Sequence, residues 1–235
     1  MKKNIVKIYR ILLFIVLITS LIVIAFKIPA SDLKNLYTLS LQHLQMVFIS
    51  MTLATIIGFG VGVIFSRKKL KRFQGIIMYI VGLGQTIPAL AVLALTMSFL
   101  GIGMKPAIFA LTIYTILPIA RNTLAGINSI SNELIDAARG LGLSPLRILV
   151  EVELPNAAPV IMAGIRTSFI INIGTAALGS LVGAGGLGEQ IFTGISFLDP
   201  WVMLSGALPT ACFALVGDYI IRYIEDKIVS EGVKG

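Results

Sequence analysis

Residues 131–155 read SNELIDAARGLGLSPLRILVEVELP. The segment is too polar to cross a membrane, yet long apolar runs flank it on both sides. Ser131 is suited to cap a helix N-terminus, and Glu133 in the first turn complements the helix dipole. Leu134, Ile135, Ala138 and Leu141 then share one face at helical spacing. Gly140 and Gly142 end this short helix. Ser144-Pro145 starts another, because serine caps well and proline is pre-organised for the first helical position. Leu146, Leu149 and Val150 give it an apolar side, and Pro155 closes it. The expected product is an amphipathic helix–glycine–helix elbow at a membrane face. On periodicity alone, such an elbow either rests on lipid or docks on a partner.

The flanking sequence makes lipid the solvent. The chain has 235 residues, 57% of them hydrophobic and only 13% charged, with a mean hydropathy of +0.96. A soluble domain carries about 25% charge. At roughly 20 apolar residues per helix, about five to seven spans fit. Little remains for an extracytoplasmic binding domain or an ATPase domain. The net charge is +8. In a soluble protein that would point to nucleic acid. Here the basic residues cluster in short loops, which is how membrane proteins mark their cytoplasmic side, and a nucleic-acid partner is excluded. The single cysteine, Cys212, rules out disulfides and multi-cysteine metal sites. The single histidine, His43, has no Cys or His partner and reads as an interfacial residue at a helix entrance.

Along the chain, Lys2, Lys3, Lys7 and Arg10 precede an apolar run from Ile11 to Phe26. This is a signal peptide or an uncleaved first span. Ile28-Pro29-Ala30 is a poor cleavage site, which favours a retained span. A second span is expected over 44–65, where Gly58 and Gly62 allow close helix approach. The run Arg67-Lys68-Lys69-Leu70-Lys71-Arg72 follows as a cytoplasmic anchor. A third span is expected over 73–99 with Pro88 inside it, a fourth from Pro106 to Ala125, a fifth over 160–181 and a sixth over 202–223. With the N-terminus, Arg67–Arg72, Asn128–Pro159 and the C-terminus inside, most of the 19 Lys and Arg are cytoplasmic. The outer segments keep Lys27, Lys34 and Lys105, balanced by Asp32, Glu189 and Asp199. Arg121 and Arg166 near inner helix ends can snorkel. The fold class is therefore all-α integral membrane, multi-pass, with about six spans and both termini cytoplasmic. The expected organisation is a basic segment and first span over 1–28, a core of five spans over 44–223 containing the loop 131–155, and a tail over 224–235.

The elbow carries a recognisable motif. Asp136-Ala137-Ala138, then Gly142, then Val152-x-Leu154-Pro155 resembles the EAA motif of permease subunits of binding-protein-dependent ABC importers. Three residues separate the alanine pair from the glycine, and nine more lead to the aliphatic position. Asp136 stands for the usual glutamate and Val152 for isoleucine. The resemblance implies a type I ABC importer permease fold in which the elbow is a coupling helix seated in a groove of the ATPase subunit. It assigns ATPase coupling to Asp136, Ala137, Ala138, Gly142, Pro145, Leu154 and Pro155. Small Ala137 and Ala138 would permit close docking, and Gly142 the bend.

Three further stretches are similar to the permeases of osmoprotectant importers, which take up glycine betaine, carnitine and choline. These are Gln85-Thr86-Ile87-Pro88-Ala89-Leu90, the run from Gly101-Ile102-Gly103 to Arg121-Asn122-Thr123, and Leu181–Phe192. The third also resembles a stretch of methionine-importer permeases. The resemblance implies partners: ATPase subunits, a second permease subunit (homologous or identical), an extracytoplasmic substrate-binding protein and the lipid bilayer. It implies no cofactor on this chain, with ATP used by the partner. Gln85, Thr86, Pro88, Asn172, Gly185 and Gly186 are candidate pathway residues. For Pro88, a simple kink is the equal alternative. Asn172 lies mid-membrane, where an interhelical hydrogen bond is favoured over substrate contact. Gly183–Gly188 lacks the strand and lysine of a phosphate loop. It is either a flexible turn near the outer mouth or merely a turn. Asp218 and Arg222 form a structural i,i+4 pair. No aromatic cage for a quaternary ammonium is evident, which fits selection by a separate binding protein.

Two other classes compete. A membrane enzyme needs clustered titratable groups in its spans, and Asp218, Arg121 and Arg166 are scattered. An ion-coupled secondary carrier typically shows inverted repeats and midplane acids, and neither is present. No Walker motif occurs, so the chain has no ATPase site of its own.

Overall fold

The structure, a computed structural model, describes residues 30–228, with side chains from 34 to 227. The expected first span and the last seven residues lie outside this range. Every element among the described residues is helical. The longer ones are α1 (Ala30–Ser66), α2 (Gln74–Thr86), α3 (Ala89–Leu100), α4 (Met104–Asn128), α5 (Asn132–Gly140), α6 (Leu154–Thr175), α7 (Gly188–Ser196) and α8 (Pro200–Ile228), with short turns of helix at Lys71–Phe73, Pro145–Arg147, Ile148–Glu153 and Ala176–Val182. Four helical segments are long and apolar enough to cross a membrane, and α2 with α3 forms a bent pair that makes a fifth.

The first described helix starts earlier than expected, at Ala30 rather than near residue 44. Its apolar turns continue upward, with Leu39 buried against the bundle. The third span is broken, not kinked. Its halves meet at 93°. Ile87 is extended at ψ 134°, as a residue before proline must be when the ring denies it the helical region.

Glycines fix the helix directions. A side chain at Gly58 would collide with Ile116 and Ile119, and one at Gly62 with Ala120 and Thr123. Residue numbers rise together along both helices, so α1 and α4 run parallel. The chain must therefore return across the membrane between them. The α2–α3 pair does this as a broken span; a re-entrant loop would leave α4 pointing the other way. Gly126 meets Ala157, Gly164 meets Asn122, and Ser168 donates to the Thr115 carbonyl at 2.8 Å. These contacts run in opposite senses, so α6 is antiparallel to α4. The central layer is thus α4 between α1 and α6, and α8 packs on the outside of α6.

Proline in α4 leaves a gap that another helix fills. Pro118 has no N–H to give to the Tyr114 carbonyl four residues back. The Gln85 side-chain amide donates there instead, at 2.8 Å.

Candidate functional site

The elbow is built by local backbone chemistry. The Ser131 hydroxyl accepts the Leu134 N–H at 3.3 Å and starts α5. The Glu133 carboxyl is held below its ordinary range by its own backbone N–H and then by the Ser131 hydroxyl. At the other end, Leu143 N–H reaches the Ala138 carbonyl and Gly142 N–H the Arg139 carbonyl. This pair of bonds is a Schellman ending, which needs a left-handed residue. Gly142 supplies it at φ 79°. The Ser144 hydroxyl then accepts the Arg147 N–H, with Pro145 in the first turn.

Pro155 does not close the second helix. A π turn over Ile148–Glu153 joins Pro145–Arg147 directly to α6, so helix runs from Pro145 to Val182. The wider π turn accommodates a proline ring that would clash in an ordinary α turn. The elbow is therefore a short free helix, a glycine corner and the extended foot of a spanning helix.

What the elbow exposes differs from the periodicity reading. Leu141 follows α5 and is 82% exposed, so it is not on the buried face. Ala138 is 4% exposed and packed within the chain, whereas Ala137 is open. Only one of the two alanines is thus free to meet an outside surface. Asp136 is exposed and paired with Arg139 at 2.8 Å. Gly142, Pro145 and Pro155 are exposed, and Leu154 is half-buried. One tie holds the foot to the bundle: Arg67, just after α1, meets the buried Glu153 carboxylate at 2.6 Å. This contact also puts the basic run and the elbow on the same membrane face.

The six candidate pathway residues sit on different elements: Gln85 and Thr86 in α2, Pro88 between α2 and α3, Asn172 in α6, and Gly185 and Gly186 in the turn before α7. Gln85 is committed to Tyr114. Thr86 is exposed and donates to the Leu83 carbonyl, and Pro88 sits at the helix break. Asn172 is fully buried. Its amide donates to Ser50 at 2.9 Å and lies 3.4 Å from the Thr115 hydroxyl, tying α6 to α1 and α4. Gly185 and Gly186 are buried, with φ of 76° and 90°. Gly186 N–H donates to Gln42 of α1 at 3.1 Å. The glycine-rich segment is therefore a tightly packed turn rather than a flexible one. Its glycines supply positive φ and close approach.

Residues 54–230 match the family described as "Binding-protein-dependent transport system inner membrane component". The chain belongs to this family. Among curated relatives, it is 46% identical over 189 residues to an osmoprotectant import permease protein of Salmonella typhimurium, covering 80% of each chain. It is 42% identical over 193 residues to a choline transport system permease protein of Bacillus subtilis, covering 82% of this chain and 88% of that one. A glycine betaine/carnitine/choline transport system permease protein of Bacillus subtilis is 39% identical over 194 residues, 83% of this chain and 88% of that one. Among solved structures, an inward-facing MetNI methionine ABC transporter gives a TM-score of 0.72 at 27% identity, covering 88% of this chain and 100% of that one.

As an inner membrane transport component, the chain shows features that sequence reasoning missed. His43 is fully buried rather than interfacial, with Nε2 at 3.0 Å from the Ile173 carbonyl. Arg166 does not snorkel. It pairs with Asp218 at 2.9 Å and Glu225 at 3.4 Å, and Asp218 also holds Arg222. The acid and base were visible in sequence; that α6 and α8 bring them together was not. The Arg67–Glu153 tie had no local signal either, because 86 positions separate the two residues.

Proposed function

We propose that this chain forms half of the translocation pathway of a type I ABC importer for a quaternary-amine osmoprotectant: glycine betaine, carnitine or choline. The names of its relatives at 39–46% identity carry the cargo reading. The MetNI likeness, at 27% identity, supports the fold more than a methionine cargo.

In this reading a separate ATPase subunit seats the elbow. Ala137 gives close approach, Asp136 offers a carboxylate, and the exposed Leu141 offers an apolar knob. Gly142, Pro145, Leu154 and Pro155 shape the corner and its foot. Movement of the ATPase then passes into α6 as rigid-body displacement. A second permease subunit completes the pathway, and an extracytoplasmic binding protein delivers the cargo. The chain binds no cofactor and hydrolyses nothing; ATP is consumed by the ATPase. The basic run and elbow face the cytoplasm, as the positive-inside rule requires. Thr86, Pro88, Gly185 and Gly186 stand near the cargo's route as framework, with Gln85 and Asn172 holding helices together beside it.

The test is uptake of labelled glycine betaine by the reconstituted complex, with choline, carnitine and methionine as competitors. Inhibition by the quaternary amines and not by methionine is expected. Inhibition by methionine alone would overturn the cargo. Undiminished uptake without any ATPase subunit would overturn the ABC reading.

A further inference from the structure

Between the basic run after α1 and the inner side of the elbow lies a cavity of about 640 Å³, within the range of small-molecule sites. Five cations line it: Arg67, Lys68, Lys69, Lys71 and Arg139. Two already have counter-charges, because Arg67 meets Glu153 and Arg139 meets Asp136. Lys68, Lys69 and Lys71 make no ion pair among the described residues. Its apolar lining is Ile127, Ile135, Leu143 and Ile148, of which Ile127 and Ile148 are buried while the three lysines are exposed. Cations at the rim and hydrocarbon behind are complementary to an amphiphile, not to a free inorganic anion. Ser66 and Asn128, the last residues of α1 and α4, are both in its lining, and the ends of spanning helices are where lipid headgroups lie.

We infer that this cavity holds the headgroup of an anionic phospholipid, with the phosphate among the three free lysines and the upper acyl chains against the isoleucine wall. Juxtamembrane basic clusters attract acidic lipid, and pockets between spanning helices select headgroups. The bound lipid would sit between the α1 end and α5, filling space that the Arg67–Glu153 tie leaves open. This goes beyond the transport reading and does not depend on the cargo.

The test uses the full chain in its complex, in bilayer discs of phosphatidylcholine with phosphatidylglycerol, with retained lipid counted by native mass spectrometry. Wild type should keep phosphatidylglycerol over phosphatidylcholine by about a hundredfold, at about fivefold per free lysine. Lys68→Gln/Lys69→Gln/Lys71→Gln should bring that preference close to unity. Those lysines also help set topology, so Arg139→Gln, in the elbow, is the second variant. It unmasks Asp136 and should lower retention about fivefold. Lys105→Gln, remote from the cavity, should change nothing. Equal retention in wild type and the triple variant would overturn the inference. So would full displacement by millimolar inorganic phosphate, which would make this a simple anion site. Loss of the lipid whenever the ATPase is docked would also overturn it, assigning the lysines to a protein interface.

Discussion

Single residues in this chain act mainly by answering one another's backbone needs. Gln85 exists opposite Tyr114 because Pro118 withholds a hydrogen. Gln85→Leu should leave that carbonyl without a donor at a cost of about 1–3 kcal/mol. Thermal unfolding in detergent reads this directly, and Gln85→Glu should fare no better, since a carboxylate cannot donate. Gly142 acts through its φ of 79°. Gly142→Ala meets no neighbour, so its cost is conformational alone, about 1–2 kcal/mol for a left-handed L-residue. The expected result is normal membrane insertion with weakened ATPase assembly, measured by co-purification. Glu133 gives a pH signature. Its folded-state pKa is depressed, so its stabilisation of α5 is present above the ordinary carboxylate range and lost as pH falls through the lowered value. The protection factors of the α5 amides, taken relative to the intrinsic exchange rate at each pH, should fall in acid, and Glu133→Gln should flatten that dependence.

At the scale of elements, close packing and ion pairs decide which helices stay together. The Arg67–Glu153 pair ties the end of α1 to the foot of α6. Arg67→Ala strands a buried carboxylate. A fully buried pair broken this way loses about 3–5 kcal/mol. Solvent screening of the third-exposed Arg67 side chain brings the expected loss to about 2–3 kcal/mol, whereas Arg67→Met/Glu153→Leu should recover most of it. A double-mutant cycle on unfolding midpoints measures the difference. Gly62→Leu should separate α1 from α4, because Thr123 stands where the new side chain would go. Much of the element level was legible in the sequence. Ser131 and Ser144 read as caps, Gly142 as a corner, and Gly58 with Gly62 as a packing face, since each acts through neighbours along the chain or a fixed helical spacing. Pro155 misled because proline reads as a helix stop, and a π turn that absorbs one leaves no residue signature. Pro88 read as a kink because the angle of a break depends on the partners that receive each half. The site was legible only as a motif. Which alanine of Ala137-Ala138 faces outward depends on the π foot packing beneath α5.

For the molecule as a whole, the parallel course of α1 and α4 sorts the connecting segments between two faces. The basic run, the elbow and the end of α8 share one face; the α3–α4 turn and the glycine-rich turn share the other. A cysteine at Leu141 should react with an impermeant thiol reagent only from the cytoplasmic side, and one at Ile102 only from outside. Both positions are strongly exposed, at 82% and 78%, so labelling in inside-out and right-side-out vesicles gives a two-way reading.

The unbroken helix from Pro145 to Val182 has 38 residues. It includes a π turn over Ile148–Glu153 and ends in a 3-10 helix over Ala176–Val182. At about 1.5 Å per α residue and about 2 Å per 3-10 residue its contour is roughly 60 Å, close to twice the hydrocarbon thickness of a bilayer. Such a rod is a lever. If it pivots near mid-membrane, tilting it by about ten degrees at the elbow would swing the far tip by about 5 Å. The Val182 carbonyl at that tip accepts the Gly103 N–H at 2.8 Å, and the glycine turn beyond it is latched to Gln42. A small angular stroke at one surface would thus arrive at the other as a displacement of two loops together.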